Sequence, residues 1–257
     1  MDDQLTLYYD ELSQSHFWLT SKTYVIEQFL APILNDAPKH RRILEVGCCA
    51  GSFLKRFTGS YDQVHGLDLS KSALLRCREQ NPGIHSVRAD GLRLPYEDGA
   101  FDLILMQDVI EHIPDDEATM KELRRVLADD GHCFICVPAY MFLYGHHDKL
   151  FGHQRRYTRK ELREKLHRNG FKVGRATYFQ SPFLLPLYVK RRFGGSEGDD
   201  FLVPPKPVNT FFDKLLRLEA LPMRLFNIPF GPTLMCLATK APQHTESVQV
   251  QEQEATV

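Results

Sequence analysis

A glycine-bearing turn between an apolar strand and a helix constrains this 257-residue chain more than any other feature. It reads Ile43-Leu44-Glu45-Val46-Gly47-Cys48-Cys49-Ala50-Gly51. A strand pattern runs straight into glycine, which lets the backbone turn tightly and lets a ligand come close. Open α/β sheets bind ligands at such points, outside the carboxyl ends of their strands. The spacing is E-x-G-x-x-x-G, not the G-x-G-x-x-G of dinucleotide sites. Cys49 stands where the glycine that admits a pyrophosphate belongs. Glu45 points the same way, because a carboxylate repels pyrophosphate and suits a cationic ligand.

The rest of the chain supports a layered α/β reading. Strand-length apolar runs at 43–46, 64–69, 84–89, 101–106 and 132–137 alternate with helical patterns at 52–57, 71–80 and 117–127. Ser70 is the expected N-cap of the second helix, and Gly131 the expected end of the third. This alternation predicts a doubly wound parallel sheet. A loop follows at 138–157, then a Thr158-capped helix at 158–169 that ends at Gly170. A sixth strand is expected at 171–179, a linker-like stretch at 194–208, an amphipathic helix at 209–226 interrupted by Pro222, and a last strand at 233–239. Residues 1–240 read as one domain: N-terminal lid helices at 1–40, a ligand-binding core at 41–138, and acceptor-side loop and cap insertions at 139–230. The polar tail, 241–257, reads as disordered.

Two more acids fall at strand ends. Asp68 lies about 20 residues past the glycine loop, where a carboxylate can accept both hydroxyls of a ribose. Asp90 ends the third strand, within reach of an exocyclic amine on an adenine ring. Glu45, Asp68 and Asp90 would then line one crevice.

Composition excludes several classes. The formal net charge is -1, so no global field favours nucleic acid. Arg41-Arg42, Arg155-Arg156 and 190–192 are local basic clusters, each either a solvated loop or a binding feature. The first twelve residues do not read as a signal peptide. No apolar stretch approaches the ~20 residues of a membrane span, so a cytoplasmic protein is expected. Of six cysteines, Cys133 and Cys136 form a C-x-x-C with no second pair at zinc spacing. Reduced structural cysteines and no metal are expected.

The motifs E-V-G-C-C-A-G, G-L-D-L-S, R-A-D-G-L-R-L-P-Y-E-D-G-A-F-D-L-I-L-M-Q-D-V-I-E-H-I and L-A-D-D-G-H-C-F-I-C-V-P cover residues 41–138 in order. In them the chain resembles the class I S-adenosylmethionine-dependent methyltransferases, particularly the ubiquinone/menaquinone-biosynthesis group. The resemblance implies a Rossmann-like seven-stranded, mostly parallel sheet. Its last strand is antiparallel, helices cover both faces, and helical elements form a cap. It implies that Gly47, Cys48 and Gly51, with Glu45, pass close to the methionine part of S-adenosyl-L-methionine. Asp68 would hold the ribose, Leu69 the adenine face, and Asp90 and Gly91 the adenine edge. Gln107 and Asp108 would flank the amino acid moiety and methyl donor, with His112 lining the cofactor nearby. His16-Phe17-Trp18 resembles the start of a lid helix, with Trp18 against the cofactor and Lys22 as its basic residue.

On the acceptor side, His153 is the expected general base, or else part of a loop-bracing network with Asp148. His147 and Tyr157 lie in the same loop, with Arg155 and Arg156. The two arginines either bind an acidic acceptor group or pair with Glu161 or Glu164. The expected reaction is methyl transfer to a small-molecule, lipid or glycan acceptor, at oxygen rather than nitrogen or carbon. The alternative is a cofactor-binding pseudo-methyltransferase acting as a partner or regulatory protein. Residues 183–226, apolar with basic borders, are either a peripheral membrane contact or a cap or dimer surface.

Overall fold

A computed structural model describes residues 8, 10–35, 42–193 and 203–242. Its centre is a sheet of seven strands in the order β3-β2-β1-β4-β5-β7-β6. The strands are β1 (Arg42–Val46), β2 (Gln63–Asp68), β3 (His85–Arg88), β4 (Phe101–Gln107), β5 (Leu127–Pro138), β6 (Phe171–Phe179) and β7 (Thr233–Lys240). The pairings from β3 through β5 are parallel, and β7 runs antiparallel between β5 and β6. This is the sheet that the resemblance implies. The strand order reverses beside β1, which puts the glycine loop at the point where such sheets bind ligands.

Burial explains the central strands. Leu103, Ile104, Leu105 and Met106 of β4 are fully buried. They face two cores, Ile104 and Met106 on one side of the sheet and Leu103 and Leu105 on the other. A strand covered on both faces needs an unbroken apolar run, and β4 supplies one. Cys133 and Cys136 fall into opposite cores, as period-two alternation requires of residues three apart.

Side-chain caps fix the helices. Ser70 Oγ accepts from Ala73 N at 3.2 Å at the start of α2 (Lys71–Gln80). Asp115 Oδ1 accepts from Ala118 N at 2.9 Å ahead of α3 (Asp116–Val126). Thr158 and Glu161 form a reciprocal capping box on α5 (Arg159–Arg168). A short helix, α4 (His146–Leu150), lies in the preceding loop.

The structure differs from the sequence reading in three places. Residues 52–57 form only turns and one 3₁₀ turn, Leu54–Arg56, because the chain bends back at Gly59 to bridge Thr58 to Tyr61. Gly131 does not end a helix; α3 stops at Val126 and β5 begins at once with Leu127. The residues between Leu127 and His132 are absorbed as an irregularity against β4. The expected helix at 209–226 is two helices, α7 (Lys206–Leu218) and α8 (Ala220–Met223). They join at Glu219, ahead of Pro222, which has no N–H to continue the ladder. Of the linker-like stretch, 194–202 lies outside the described residues, as do 243–257 of the tail and 1–7, 9 and 36–41 of the N-terminal region.

The cap is built from α1 (Phe17–Asn35), α6 (Leu184–Phe193) and α7. Phe17 N donates to Asn209 Oδ1 at 2.9 Å, and Thr20 Oγ1 donates to Asp213 Oδ1 at 2.7 Å. Phe17, Trp18, Phe183 and Phe212 pack ring against ring between the helices. Helices α1 and α7, far apart in the sequence, therefore close one side of the crevice together.

Candidate functional site

A cavity of about 910 Å³ opens at the carboxyl ends of β1, β2 and β4, under the cap. That is near the upper end for small-molecule sites. Glu45, Gly47, Cys48, Asp68, Leu69, Asp90, Gly91, Gln107, Asp108, His112 and Trp18 all line it. Gly51 does not. Its φ is +78°, and a Cβ there would come within 2.7 Å of Ile84 Cδ1 and 2.8 Å of Cys77 Sγ. Gly51 therefore serves the packing of the loop on α2 rather than the approach of a ligand. Gly47 also has φ +78°, and a Cβ there would overlap Val109 Cγ2. Gly47 N and Cys48 N both donate to Leu67 O, at 2.7 and 3.0 Å, which pins the loop to β2.

Asp68 organises the loop. Its Oδ2 accepts from Cys49 N at 2.9 Å and its Oδ1 from Ser70 N at 2.8 Å. Cys49 takes a positive φ of 48°, the conformation the loop forces on a non-glycine residue. Asp90 Oδ1 accepts from Leu92 N at 3.0 Å, and Leu69 beside the crevice is largely exposed.

Glu45 is buried at the floor. Gln107 Nε2 donates to its Oε1 at 2.7 Å, while Oε2 has no hydrogen-bond partner among the described residues. Burial pushes this carboxyl up to about 8, with the nearby Asp68 charge adding to the rise. Asp108, at φ 50°, pairs with Lys22 of α1, so the lid helix is tied to the end of β4. Asp10 lines the same cavity and accepts from Ser52 Oγ at 2.6 Å.

The other end of the cavity carries His112, His147, His153 and Arg156. His153 Nδ1 lies 2.8 Å from Asp148 Oδ1. Asp148 is fully buried and also accepts from Arg156 Nε at 2.8 Å, Arg191 Nη1 at 2.7 Å and Gly145 N at 2.8 Å. Burial alone would raise its carboxyl, but His153 and Arg156 hold it well below the usual carboxylate range. The loop-bracing network with Asp148 is thus present, with Arg156 inside it.

Two expected acceptor-side residues lie elsewhere. Arg155 and Tyr157 are not on the cavity wall. Tyr157 is buried and donates to Asp116 Oδ2 at 2.8 Å, and Arg155 pairs with the same oxygen at 3.0 Å. Lys165 completes that cluster at 2.7 Å. Neither arginine pairs with Glu161 or Glu164. The alternation of Arg155, Arg156 and Tyr157 along an extended segment sends its middle member inward to Asp148 and its neighbours to Asp116.

Sequence reasoning passed over Glu111. It follows β4 on the 3₁₀ turn Ile110–His112 and is fully buried, and neither carboxylate oxygen has a hydrogen-bond partner among the described residues. Burial pushes its carboxyl well up, and the Asp108 charge adds to that. His112 beside it is pushed down to about 4, by burial first and then by His153. The sequence signal was an acid next to a histidine at a strand end, which an apolar neighbour on each side of the pair makes look structural.

Residues 44–135 match the family described as "Methyltransferase domain". A 2-phytyl-1,4-naphtoquinone methyltransferase from Trichormus variabilis is 31% identical over 142 residues, 52% of this chain and 61% of that protein. The chain spans about half the length of the curated relatives it matches. Among solved structures, one chain of the complex between the Haloferax volcanii Trm112 methyltransferase activator and a methyltransferase superposes with TM-score 0.61. It is 18% identical and covers 94% of this chain and 96% of its own. Haemonchus contortus phosphoethanolamine N-methyltransferase 2 in complex with S-adenosyl-L-methionine gives 0.54 at 17% identity, covering 84% of this chain and 53% of its own. Residues 44–135 thus carry a methyltransferase domain, and the sheet around them has the fold of solved S-adenosylmethionine-dependent methyltransferases.

Proposed function

We propose that the protein transfers a methyl group from S-adenosyl-L-methionine to a small-molecule acceptor, at oxygen rather than at nitrogen or carbon. The observation that carries the cofactor is the donor set at the crevice. Glu45 Oε2 is a buried acceptor without a hydrogen-bond partner among the described residues, which a ligand ammonium would meet. Gly47 lines the crevice with Val109 packed where a Cβ would stand, and Asp68 and Asp90 stand at successive strand ends on the same wall. Asp68 would hold the ribose, Leu69 and Gly91 the adenine, and Gln107 and Asp108 the amino acid end. When bound, the cofactor supplies an electrophilic methyl group on a sulfonium.

The protein's own work is to position and to exclude water. Trp18 and the cap close over the crevice, and the Lys22–Asp108 pair holds the lid helix against the site. The histidine end, with His112, His147 and His153, is where an acceptor hydroxyl and its proton would be handled. That cluster favours oxygen as the methylated atom. A lipid-like acceptor such as a reduced quinone is supported by the quinone relatives. It is also supported by exposed Leu185, Phe193, Phe211 and Leu218 on the cap, with Arg192 and Lys214 on the same helices. Among the described residues, no helix is long and apolar enough to cross a membrane.

Incubation with methyl-labelled cofactor and a panel of reduced quinones, phenols and amines tests this. Label in a phenolic ether supports the reading; label only on amine or carbon acceptors overturns the oxygen assignment.

A further inference from the structure

The histidine end of the crevice holds a cost that hydrogen bonding does not explain. Glu111 is fully buried with both carboxylate oxygens unpartnered among the described residues. A buried polar group in that condition needs a reason, and a bound ion is one of the few physical ones. The nearby cations are engaged: Lys22 pairs with Asp108, and Arg156 with Asp148.

Two imidazoles stand against this carboxylate. One ligand atom from each of Glu111, His112 and His153 lies within 4.8 Å of the others. The His112 and His153 rings meet edge to face, with centroids 4.6 Å apart. His153 Nδ1 is occupied by Asp148, itself fixed by Arg156 and Arg191, which leaves Nε2 as the free end of the ring. A carboxylate behind a histidine is the usual way a metal-binding imidazole is held in its tautomer and orientation. The backbone supports the same grouping. Gln154 N donates to Glu111 O at 2.8 Å, tying the loop of His153 to the turn of Glu111 and His112.

We propose that Glu111, His112 and His153 bind one divalent first-row transition-metal ion, of the zinc, iron(II), manganese(II) or cobalt(II) class, at the acceptor end of the crevice. Two imidazoles and one carboxylate suit those ions, whereas magnesium and calcium prefer oxygen alone. Ligands about 2.1 Å from a common ion lie roughly 3–4 Å from one another, so the set closes by about 1 Å on binding. Three protein ligands leave coordination positions open toward the cavity, where an acceptor oxygen fits. That last point rests on the methyltransferase reading; the ion site itself does not. On this proposal His153 is a ligand, where the sequence reading expected a general base and no metal. The proposed ligands are an adjacent acid and histidine plus one residue of a distant loop, a set that cysteine spacing does not announce.

The test uses the full chain without an affinity tag, stripped by chelator and titrated with zinc and with cobalt(II). Calorimetry gives stoichiometry and affinity, and cobalt absorption reports the ligand type. One ion per chain at micromolar affinity or tighter is expected, with visible cobalt bands and no thiolate charge-transfer band. Glu111→Gln and His153→Gln should each weaken binding at least tenfold, with unchanged circular dichroism. Should Glu111→Gln fail to fold, His112→Gln takes its place. Binding of equal strength in the folded variants, absence of stoichiometric binding, or a thiolate band placing the ion on cysteine each overturns the site. S-adenosylhomocysteine is titrated into the same samples. Its retained binding without metal binding sinks this inference alone, while its failure to bind the wild type sinks the methyltransferase reading.

Discussion

Gln107 donates its side-chain amide to Glu45 at 2.7 Å, and the second carboxylate oxygen of Glu45 is left buried with no hydrogen-bond partner among the described residues. Strands β1 and β4 are adjacent, so this pair joins the end of one strand to the end of the next. One oxygen of the carboxylate is satisfied by the protein and the other is not, on a residue that lines the crevice.

This arrangement predicts a pH dependence. The Glu45 carboxyl sits at about 8 in the folded protein, against 4.5 as its ordinary value. Between those values the unfolded chain releases the proton while the folded chain keeps it, so stability falls as pH rises across that window. Glu45→Gln removes this contribution to the dependence. Urea denaturation of both proteins at pH 5, 6.5 and 8 should show the wild type losing stability relative to the variant; parallel curves would contradict this. A cationic ligand favours the ionised carboxylate, so wild-type affinity for S-adenosylhomocysteine should rise as pH climbs toward 8.

Gly47→Ala and Gly59→Ala separate crowding from backbone strain. Both positions have positive φ, but a Cβ at Gly47 overlaps Val109, while at Gly59 it meets nothing within 4 Å. Strain alone costs about 1 kcal/mol. Gly59→Ala should lose about that much, Gly47→Ala at least twice as much, and only Gly47→Ala should lose ligand affinity. Denaturant midpoints and calorimetry read both effects.

Asp148→Asn should destabilise strongly. The side chain is fully buried and neutralises Arg156 and Arg191, which are themselves nearly buried. Removing one partner of such a cluster costs about 3–5 kcal/mol. A melting temperature within a degree or two of the wild type would contradict the network.

Tyr157→Phe tests the move of Tyr157 away from the acceptor side. It deletes the hydroxyl that donates to Asp116 at 2.8 Å, while Lys165 and Arg155 still hold that carboxylate. A loss of about 1–2 kcal/mol is expected, with ligand affinity unchanged. A variant of normal stability but poor affinity would put Tyr157 back at the site.

The central strands and the crevice were legible in the sequence because their causes are local. An apolar run such as 103–106 has one reading in a layered fold, and Glu45, Asp68 and Asp90 are placed by the strands they end. Gly51 was harder, since a glycine that admits a ligand and one that admits Ile84 and Cys77 read alike. The long loop before α5 was hardest. The inward turn of Arg156 to Asp148, and the pairing of Arg155 and Tyr157 with Asp116, depend on contacts across the fold that no spacing announces. The same holds for Glu111, whose missing partners become visible only once its surroundings are assembled.

Calorimetric titration with S-adenosylhomocysteine, and separately with NAD, on the wild type and on Asp68→Ala tests the central claim most directly. The account predicts micromolar binding of S-adenosylhomocysteine by the wild type, weakened at least a hundredfold in the folded variant, and no binding of NAD. Tight NAD binding, or a well-folded wild type that ignores S-adenosylhomocysteine, would contradict it.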